Sequence, residues 1–273
     1  MPRAALLLLL LIVALALASC GKGGRASSQT ATSAAAPSAK AGGSGSAAGG
    51  SEGKAGGGKA GGGSSSRDGA LAFARAVNLT QADVPGFSPK QKEESSSPRE
   101  KKLEKDVQRC VGVSGVLTKA EKSSVIEQSS KNFELKHEIV DLSVSSSVSV
   151  QPSAEEARRA LEAIRNARVR SCFSHYLQLL FSSLTVKGAT PGPVTIQSGD
   201  PPAPGTAGGF GWRITASFIV HGIKVPVYLD FLGFVDGPAE VTLLSSGLIR
   251  PFPATIQQHL FTTLLSRAKA HTP

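Results

Sequence analysis

The chain has 273 residues, of which 30 are basic, 20 are acidic and 40% are hydrophobic. Half of the net charge of +10 lies before residue 69, because residues 69–273 hold 23 basic and 18 acidic residues. This mild and dispersed excess excludes the strongly basic surface of a nucleic-acid-binding protein. The roughly 205 residues after position 68 are enough for one domain with a substantial core.

The first 20 residues have the pattern of a lipoprotein signal peptide. Arg3 precedes a leucine-rich stretch that ends in the lipobox Leu17-Ala18-Ser19-Cys20. This apolar run of about 15 residues is shorter than the roughly 20 that a transmembrane helix needs. We therefore expect residues 1–19 to be removed and Cys20 to carry lipid. The mature chain would be anchored in the cell envelope, on the outer face of the plasma membrane or, in a two-membrane cell, in the outer membrane.

Residues 20–68 are predicted to form a disordered linker behind the lipidated cysteine. They consist almost entirely of Gly, Ser, Ala and scattered Lys, with no aliphatic side chain larger than alanine after Cys20, so they cannot bury a core. A flexible coil of this length spans about 35–40 Å. The linker would hold a domain at 69–273 clear of the lipid headgroups.

Two cysteines remain in the predicted domain, Cys110 and Cys172. In an exported chain, a disulfide between them is expected. It would close a loop of about 60 residues and stabilise the fold by roughly 4 kcal/mol in the chain-entropy model. Two buried free thiols are the alternative.

The first half of the domain begins with helical patterns and continues with a strand. We expect a short helix at 70–79, a turn at 83–87, and a second helix at 99–111 that starts after Pro98. Between residues 138 and 150, valine and leucine alternate with serine and aspartate. This period of two predicts a half-buried strand with one apolar face and one hydroxyl face.

A long helix follows, starting at Ser153 and extending to about residue 184. Ser153 and Glu156 have the spacing of a capping box. The residues predicted to be buried are Leu161, Ile164, Cys172, Tyr176 and either Leu179 or Leu180. Five arginines (Arg158, Arg159, Arg165, Arg168 and Arg170) lie on this helix. Glutamates at helical spacing favour a solvated face, and an anion-binding patch is the alternative.

The last third of the chain predicts a Gly/Pro-rich loop at 191–211, three strands and a helix after Pro253. The strands at 212–220 and 225–235 would be joined by a II′ turn at Gly222-Ile223. In that register Thr215 faces Asp230, Ser217 faces Tyr228, and Arg213 lies diagonally from Asp230. The third strand contributes Val241 and Leu243 to the core. The whole order of elements predicts an α+β domain, with one antiparallel sheet covered by helices on its apolar face.

The polar side of this hairpin is the candidate ligand site. Its members are Arg213, Thr215, Ser217, Tyr228 and Asp230, extended on the same face by Ser143, Ser145 and Ser147. If helices or the 191–211 loop border this face, it becomes a cleft for a polar or anionic ligand. The alternative is a solvent-exposed sheet face on which Arg213 and Asp230 only pair across the strands.

Catalytic and metal-binding signatures are missing from the sequence. The predicted domain, residues 69–273, contains no Gly-x-Ser-x-Gly elbow, no His-Glu-x-x-His and no Gly-x-x-x-x-Gly-Lys-Ser/Thr phosphate loop. The histidines are separated from one another and from partners at metal spacing; they are His137, His175, His221, His259 and His271. We therefore expect no catalytic residue, metal or cofactor.

The run from Asn78 to Phe87, which ends in Asp-Val-Pro-Gly-Phe, carries a resemblance when it is taken with the lipobox, the linker and the two-cysteine domain. It resembles actinobacterial LpqN-type lipoproteins and is similar to the extracellular sensor domain of PknH-type kinases. The resemblance implies a PsbP-like sandwich, an antiparallel sheet with flanking helices, that binds envelope ligands or partners. This chain departs from the sensor domain in having one possible disulfide instead of two and no attached kinase, so signalling by its own catalytic domain is not expected.

The leading functional hypothesis is a non-enzymatic, lipid-anchored envelope protein that binds a small polar or amphiphilic ligand or acts as a sensor. The first alternative is a structural or assembly factor that docks on an envelope protein complex through the arginine-bearing helix. The second is a secreted hydrolase with an unrecognised site. The expected partners are the membrane, through the lipid, and a small molecule or envelope protein, but not nucleic acid.

Overall fold

The computed structural model describes residues 67–90, 125–137, 140–183 and 189–273. The lipobox, nearly all of the linker, the helix expected at 99–111 and Cys110 lie outside the described residues. The division into signal peptide, linker and domain therefore remains a prediction. Cys172 lies in a buried core, and its pairing with Cys110 also remains a prediction.

The described ranges contain four α-helices, one short 3-10 helix and nine strands. In chain order they are α1 (Arg67–Val77), the 3-10 helix (Gln81–Asp83), β1 (Ser88–Lys90), β2 (Ile126–Ser129), β3 (Asn132–His137), β4 (Val140–Val150), α2 (Ala154–Arg165), α3 (Ala167–Ser183), β5 (Ala189–Pro191), β6 (Thr195–Gly199), β7 (Gly208–Val220), β8 (Ile223–Asp236), β9 (Ala239–Leu248) and α4 (Ala254–Ala270).

The strands form one antiparallel sheet, which confirms the predicted α+β class. The order along the sheet is β1-β3-β4-β9-β8-β7-β5, with β2 also pairing with β4 and β6 also pairing with β7. Strands β4, β9, β8 and β7 are the longest, and each is antiparallel to its neighbour. The segment 191–211, expected to be a loop, contributes the end of β5, all of β6 and the start of β7.

Helices cover both faces of the sheet rather than one. On the face that we call the front, α1 and α4 pack against β4, β8 and β9, as at Val144, Phe234 and Val241. On the back face, α2 and α3 pack against β7 and β8, as at Trp212 and Phe231. Helices α1 and α4 lie over the half of the sheet that contains β4 and β9, whereas α2 and α3 lie over the half that contains β7 and β8. Most apolar side chains of the sheet therefore point to the front in the first half and to the back in the second.

Strand β4 is buried along most of its length, and not half-buried as its alternation predicted. Residues 142–150 are all buried, the serines included. One serine, Ser146, falls in the apolar row on the front face. Its hydroxyl accepts from the Leu79 backbone N–H at 2.8 Å and donates to Asn78 Oδ1 at 2.7 Å. Ser146 therefore joins the end of α1 to the centre of the sheet.

The predicted long helix is two helices. Ser153 is the N-cap of α2, because its hydroxyl accepts from the Glu156 backbone N–H. At Asn166 the backbone becomes extended, with ψ of 130°, and ends α2. The Asn166 side chain then accepts from the Arg168 backbone N–H at 2.8 Å at the start of α3. The buried stripe continues across the break, with Leu180 buried and Leu179 exposed.

A clamp of polar contacts joins residues 78–83, which follow α1, to α4. Asp83 Oδ2 accepts from the backbone N–H and the hydroxyl of Thr80 at 2.7 and 2.9 Å. Arg267 on α4 donates to Oδ1 at 2.6 Å and to Oδ2 at 3.0 Å, and also to the carbonyl of Asn78 at 3.1 Å. The Asp-Val-Pro-Gly-Phe motif thus begins with Asp83, the residue that fixes this segment to α4.

Candidate functional site

The turn between β7 and β8 sets the register of the candidate site. It is centred on His221 and Gly222, which have φ of 50° and 81°. Two positive φ values in succession are typical of a I′ turn, whereas the predicted II′ turn needs only one. The turn therefore lies one residue earlier than the sequence suggested, and every cross-strand pair shifts by two positions.

The predicted pairs are consequently wrong, although the predicted face is preserved. Arg213 lies directly opposite Asp230, Thr215 opposite Tyr228, and Ser217 opposite Pro226. Because the shift is an even number of residues, these side chains stay on the same side of the sheet. All five hairpin residues of the candidate site lie on the front face.

Arg213 and Asp230 form a two-pronged ion pair at the centre of the site. The distance from Arg213 Nε to Asp230 Oδ1 is 2.6 Å, and that from Nη2 to Oδ2 is 2.9 Å. The carboxyl is the buried partner, with 4% of the side chain exposed against 41% for Arg213. Hydrogen bonding to Asp230 raises the pKa of Arg213 above its ordinary value. The guanidinium is therefore held in a fixed plane with one edge open.

Behind the ion pair, polar residues lead from the sheet into α4. Asp230 lies opposite Ser245 on β9. The Ser245 hydroxyl accepts from Gln257 Nε2 of α4 at 2.6 Å, and both residues are buried. The site therefore lies where the front face changes from the part covered by α4 to the part formed by β7 and β6.

The serines of β4 do not extend the site, so that part of the prediction was wrong. Ser143, Ser145 and Ser147 lie opposite Ser246, Leu244 and Thr242 of β9. Those β9 residues alternate with Ser245, which faces the front together with Asp230. The three serines are therefore on the back of the sheet, separated from Arg213 by its full thickness.

Within the hairpin, the five side chains differ in accessibility. Ser217 is buried, and the backbone of Gly192 lies so close that a Cβ at position 192 would collide with the Ser217 hydroxyl. Thr215 and Tyr228 are half-buried. Arg213, Thr215 and Tyr228 are thus the members that a ligand could contact, while Asp230 positions Arg213.

Backbone segments border these three residues on two sides. At Gly209 a Cβ would collide with the carbonyl of Pro201, and at Gly247, opposite Tyr228, it would collide with the carbonyl of Arg250. Ile249 makes the second approach possible by adopting a φ of 69°, which is rare for a β-branched residue. The 191–211 segment and the β9–α4 connection therefore form raised edges beside the exposed part of the site.

Sequence reasoning missed two neighbours of the site. Gln197 lies opposite Arg213, and Thr195 lies opposite Thr215, both on β6 and both exposed. The five-residue run of β6 is flanked by Pro193 and Pro201, which indicated a loop. The signal that could have found it is the alternation in Thr195-Ile196-Gln197, where only Ile196 packs against the back core.

The arginines of α2 and α3 have mixed roles. Arg159 pairs with Glu155 on the exposed side of α2, as a solvated face predicts. Arg165 donates from Nε to the carbonyl of Gly209 at 3.1 Å and lies 3.4 Å from a carboxyl oxygen of Asp200. Arg170 donates to the hydroxyl of Ser198 at 2.5 Å. At least two of the five arginines therefore bind the edge of the sheet.

The described residues contain no group of three or more His, Cys, Asp or Glu side chains that could hold a metal ion. Four histidines, at 175, 221, 259 and 271, are exposed. Across the described part of the chain, no helix combines the length and hydropathy required to cross a bilayer.

Comparisons with known proteins show a structural likeness but no family match. No protein-family model and no curated protein matches the chain. Among solved structures, the chain is similar to the extracellular domain of PknH from Mycobacterium tuberculosis, with a TM-score of 0.41 and 13% sequence identity. The match covers 73% of this chain and 96% of that one. At this TM-score the likeness carries no argument about function.

Proposed function

We propose that this protein is a non-enzymatic, lipid-anchored envelope protein whose domain binds a small polar or amphiphilic ligand at Arg213, Thr215 and Tyr228. The observation that carries the proposal is the ion pair of Arg213 with buried Asp230. Asp230 fixes the orientation of the Arg213 guanidinium by accepting hydrogen bonds from two of its five N–H groups. Three N–H groups remain available to a ligand.

The charge of the site limits the kind of ligand. Because Asp230 neutralises Arg213, the pair offers directed hydrogen-bond donors and little net positive charge. Thr215 and Tyr228 add hydroxyl groups that both donate and accept. These groups favour a ligand with hydroxyl, amide or single carboxylate groups over one with several negative charges.

The test is native mass spectrometry of the full chain extracted gently from its own membrane fraction. We expect a stoichiometric small-molecule adduct on the wild type, and its loss from Thr215→Val and Tyr228→Phe, which remove hydroxyls at constant shape. Thr263→Val, which removes a hydroxyl bonded to the carbonyl of His259 on α4, is the matched control and should keep the adduct. A bare wild-type chain, or adducts retained by both site variants, would contradict the proposal.

The lipid anchor and the disulfide belong to the same proposal. Intact-mass analysis of the extracted chain tests both. We expect a chain that begins at Cys20 with added acyl groups, and a mass lower by one pair of hydrogens than that of the reduced protein. An N-terminus without acyl groups would contradict the proposed lipid anchor. Labelling of both Cys110 and Cys172 by a thiol reagent under denaturing, non-reducing conditions would show that the proposed disulfide is absent.

The docking alternative has less support. It relied on the five arginines of the 153–184 segment as a free surface. Arg165 and Arg170 instead contact Gly209 and Ser198 within the domain, which reduces the number of guanidinium N–H groups available to a partner. The hydrolase alternative needed a histidine beside Asp230, and the hydrogen bonds to its carboxyl in the described structure come from Arg213.

A further inference from the structure

The β7–β8 hairpin extends beyond the end of its neighbour β9. On one side, β9 ends at Leu248, opposite Val227. The β7–β8 pairing continues past that point to Val220 and Ile223. We call residues 219–226 the hairpin tip. On its other side, β5 pairs with β7 at positions 218–220. On the β9 side, the Ile249 backbone N–H donates to the Pro226 carbonyl. Among the described residues, the outer edge of β8 at 223–225 therefore has no strand neighbour.

The hairpin tip carries exposed apolar side chains on both of its faces. Ile223 is 69% exposed and Ile219 is 45% exposed. Ile219 lies opposite Lys224 on the front side, and Ile223 lies opposite Val220 on the back side. A flat protein surface could cover only one of these isoleucines. A medium that surrounds the tip would cover both.

Two other large hydrophobic residues of the described chain are exposed. They are Leu179, at 44% exposure, and Ile256, at 38%. Near Leu179 on α3, Phe181 contacts Phe218 close to the end of β7, with ring centroids 5.6 Å apart. Next to Ile256, Gln257 bonds to Ser245 close to the end of β9. Leu179 therefore lies toward the tip end of β7, whereas Ser245 lies opposite Asp230 and places Ile256 nearer the candidate site than the tip.

The charges of the hairpin tip match an anionic surface. Residues 219–226 include Lys224 and His221, both exposed, and contain no acidic residue. A lysine next to exposed isoleucine can lay its aliphatic stem along the apolar surface and place its ammonium at the headgroups. Basic residues near a membrane are attracted by the negative surface potential of anionic lipids.

We propose that the hairpin tip inserts into the interface of an anionic lipid bilayer and sets the orientation of the domain on the membrane. Ile219 and Ile223 enter the acyl boundary, and Lys224 binds the headgroups. Interfacial elements of this kind bury their apolar residues about 5–10 Å deep. The inference does not depend on a ligand at Arg213, because it uses residues beyond that site on the same hairpin.

Tryptophan placed at the tip tests the proposal in the full chain. The only native tryptophan, Trp212, is buried in the back core and supplies a constant background. The variants are Ile223→Trp at the tip and Ala207→Trp, an exposed position at the opposite end of β7. Each is mixed with vesicles of phosphatidylcholine and phosphatidylglycerol whose acyl chains carry bromine, which quenches tryptophan on contact.

We expect the added emission of Ile223→Trp to fall by about half or more, as for a side chain at the acyl boundary, and that of Ala207→Trp to remain. Adding Lys224→Glu to Ile223→Trp, or omitting phosphatidylglycerol, should weaken the quenching. Equal quenching at positions 223 and 207 would overturn the proposal. Absence of quenching at position 223 would also overturn it and would leave the tip as a contact for protein.

Discussion

Replacing Asp83 by asparagine should destabilise the domain by removing the charge that holds Arg267. Asp83 accepts four hydrogen bonds, two from Thr80 and two from Arg267. The pair is mostly shielded from solvent, with 11% of the Asp83 side chain and 28% of the Arg267 side chain exposed. Hydrogen bonds to charged groups contribute about 1.5–3 kcal/mol each and are not additive. We therefore expect a loss of about 2–4 kcal/mol.

Urea unfolding of the full chain measures this loss. With a slope of about 2 kcal/mol per molar, typical of a domain of this size, the midpoint should fall by about 1–2 M. The matched control is Glu155→Gln, which weakens the solvent-exposed pair with Arg159. An exposed pair at this helical spacing contributes about 0.5 kcal/mol or less. Equal midpoints for the two variants would refute the reasoning.

The pH dependence supplies a second check on Asp83. Burial alone would raise the pKa of its carboxyl, but hydrogen bonds from Arg267 and Thr80 outweigh burial and hold the pKa below its ordinary value. A lowered pKa stabilises the fold above the unfolded-state value of about 3.9, and this stabilisation disappears as the pH falls through the folded-state value. The difference between wild type and Asp83→Asn should be constant from about pH 5 to 7 and shrink below about pH 4.

Three further variants test other parts of the structure by urea unfolding. Ser146→Ala leaves the Leu79 N–H and Asn78 Oδ1 without their buried partner and should cost about 2–3 kcal/mol; a change below 0.5 would contradict this role. Burial raises the pKa of Glu240, which disfavours its ionised form, so Glu240→Gln should add about 1 kcal/mol at pH 7 and little near pH 4. Equal gains in stability at pH 7 and pH 4 would show that the charge of Glu240 is not the cause. Ile249→Gly should relieve the positive φ and add about 0.5–1 kcal/mol, whereas a loss would indicate that packing of Ile249 dominates.

The sequence predicted which side chains of one strand share a side of the sheet, but it did not predict which side chains of distant strands do. Alternation showed that Arg213, Thr215 and Ser217 share a side, and the hairpin connected them correctly to Tyr228 and Asp230. It could not show on which side the β4 serines lie, because that depends on β9, where consecutive residues Leu243 and Leu244 are both buried, in opposite cores. A strand buried on both faces has no alternation from which to read its sides.

The contacts of the site depended on a single backbone conformation. Gly222 indicated a tight turn, and glycine at its first position was the natural assignment. The structure instead has His221 at the first position with positive φ, which is uncommon for residues other than glycine but several-fold enriched for histidine. This difference of one residue converted a diagonal relation between Arg213 and Asp230 into a direct ion pair. The break at Asn166 was missed because the sequence has no Pro or Gly there.

The clamp between Asp83 and Arg267 also bears on when the domain can fold. Its two residues are 184 positions apart in the chain. A chain that leaves a ribosome or an export channel from its N-terminus exposes Asp83 long before Arg267. Contacts of such high sequence separation close large loops and form slowly. Residues 78–83 therefore cannot be fixed in place before α4 forms, so completion of the fold is delayed until Arg267 has emerged.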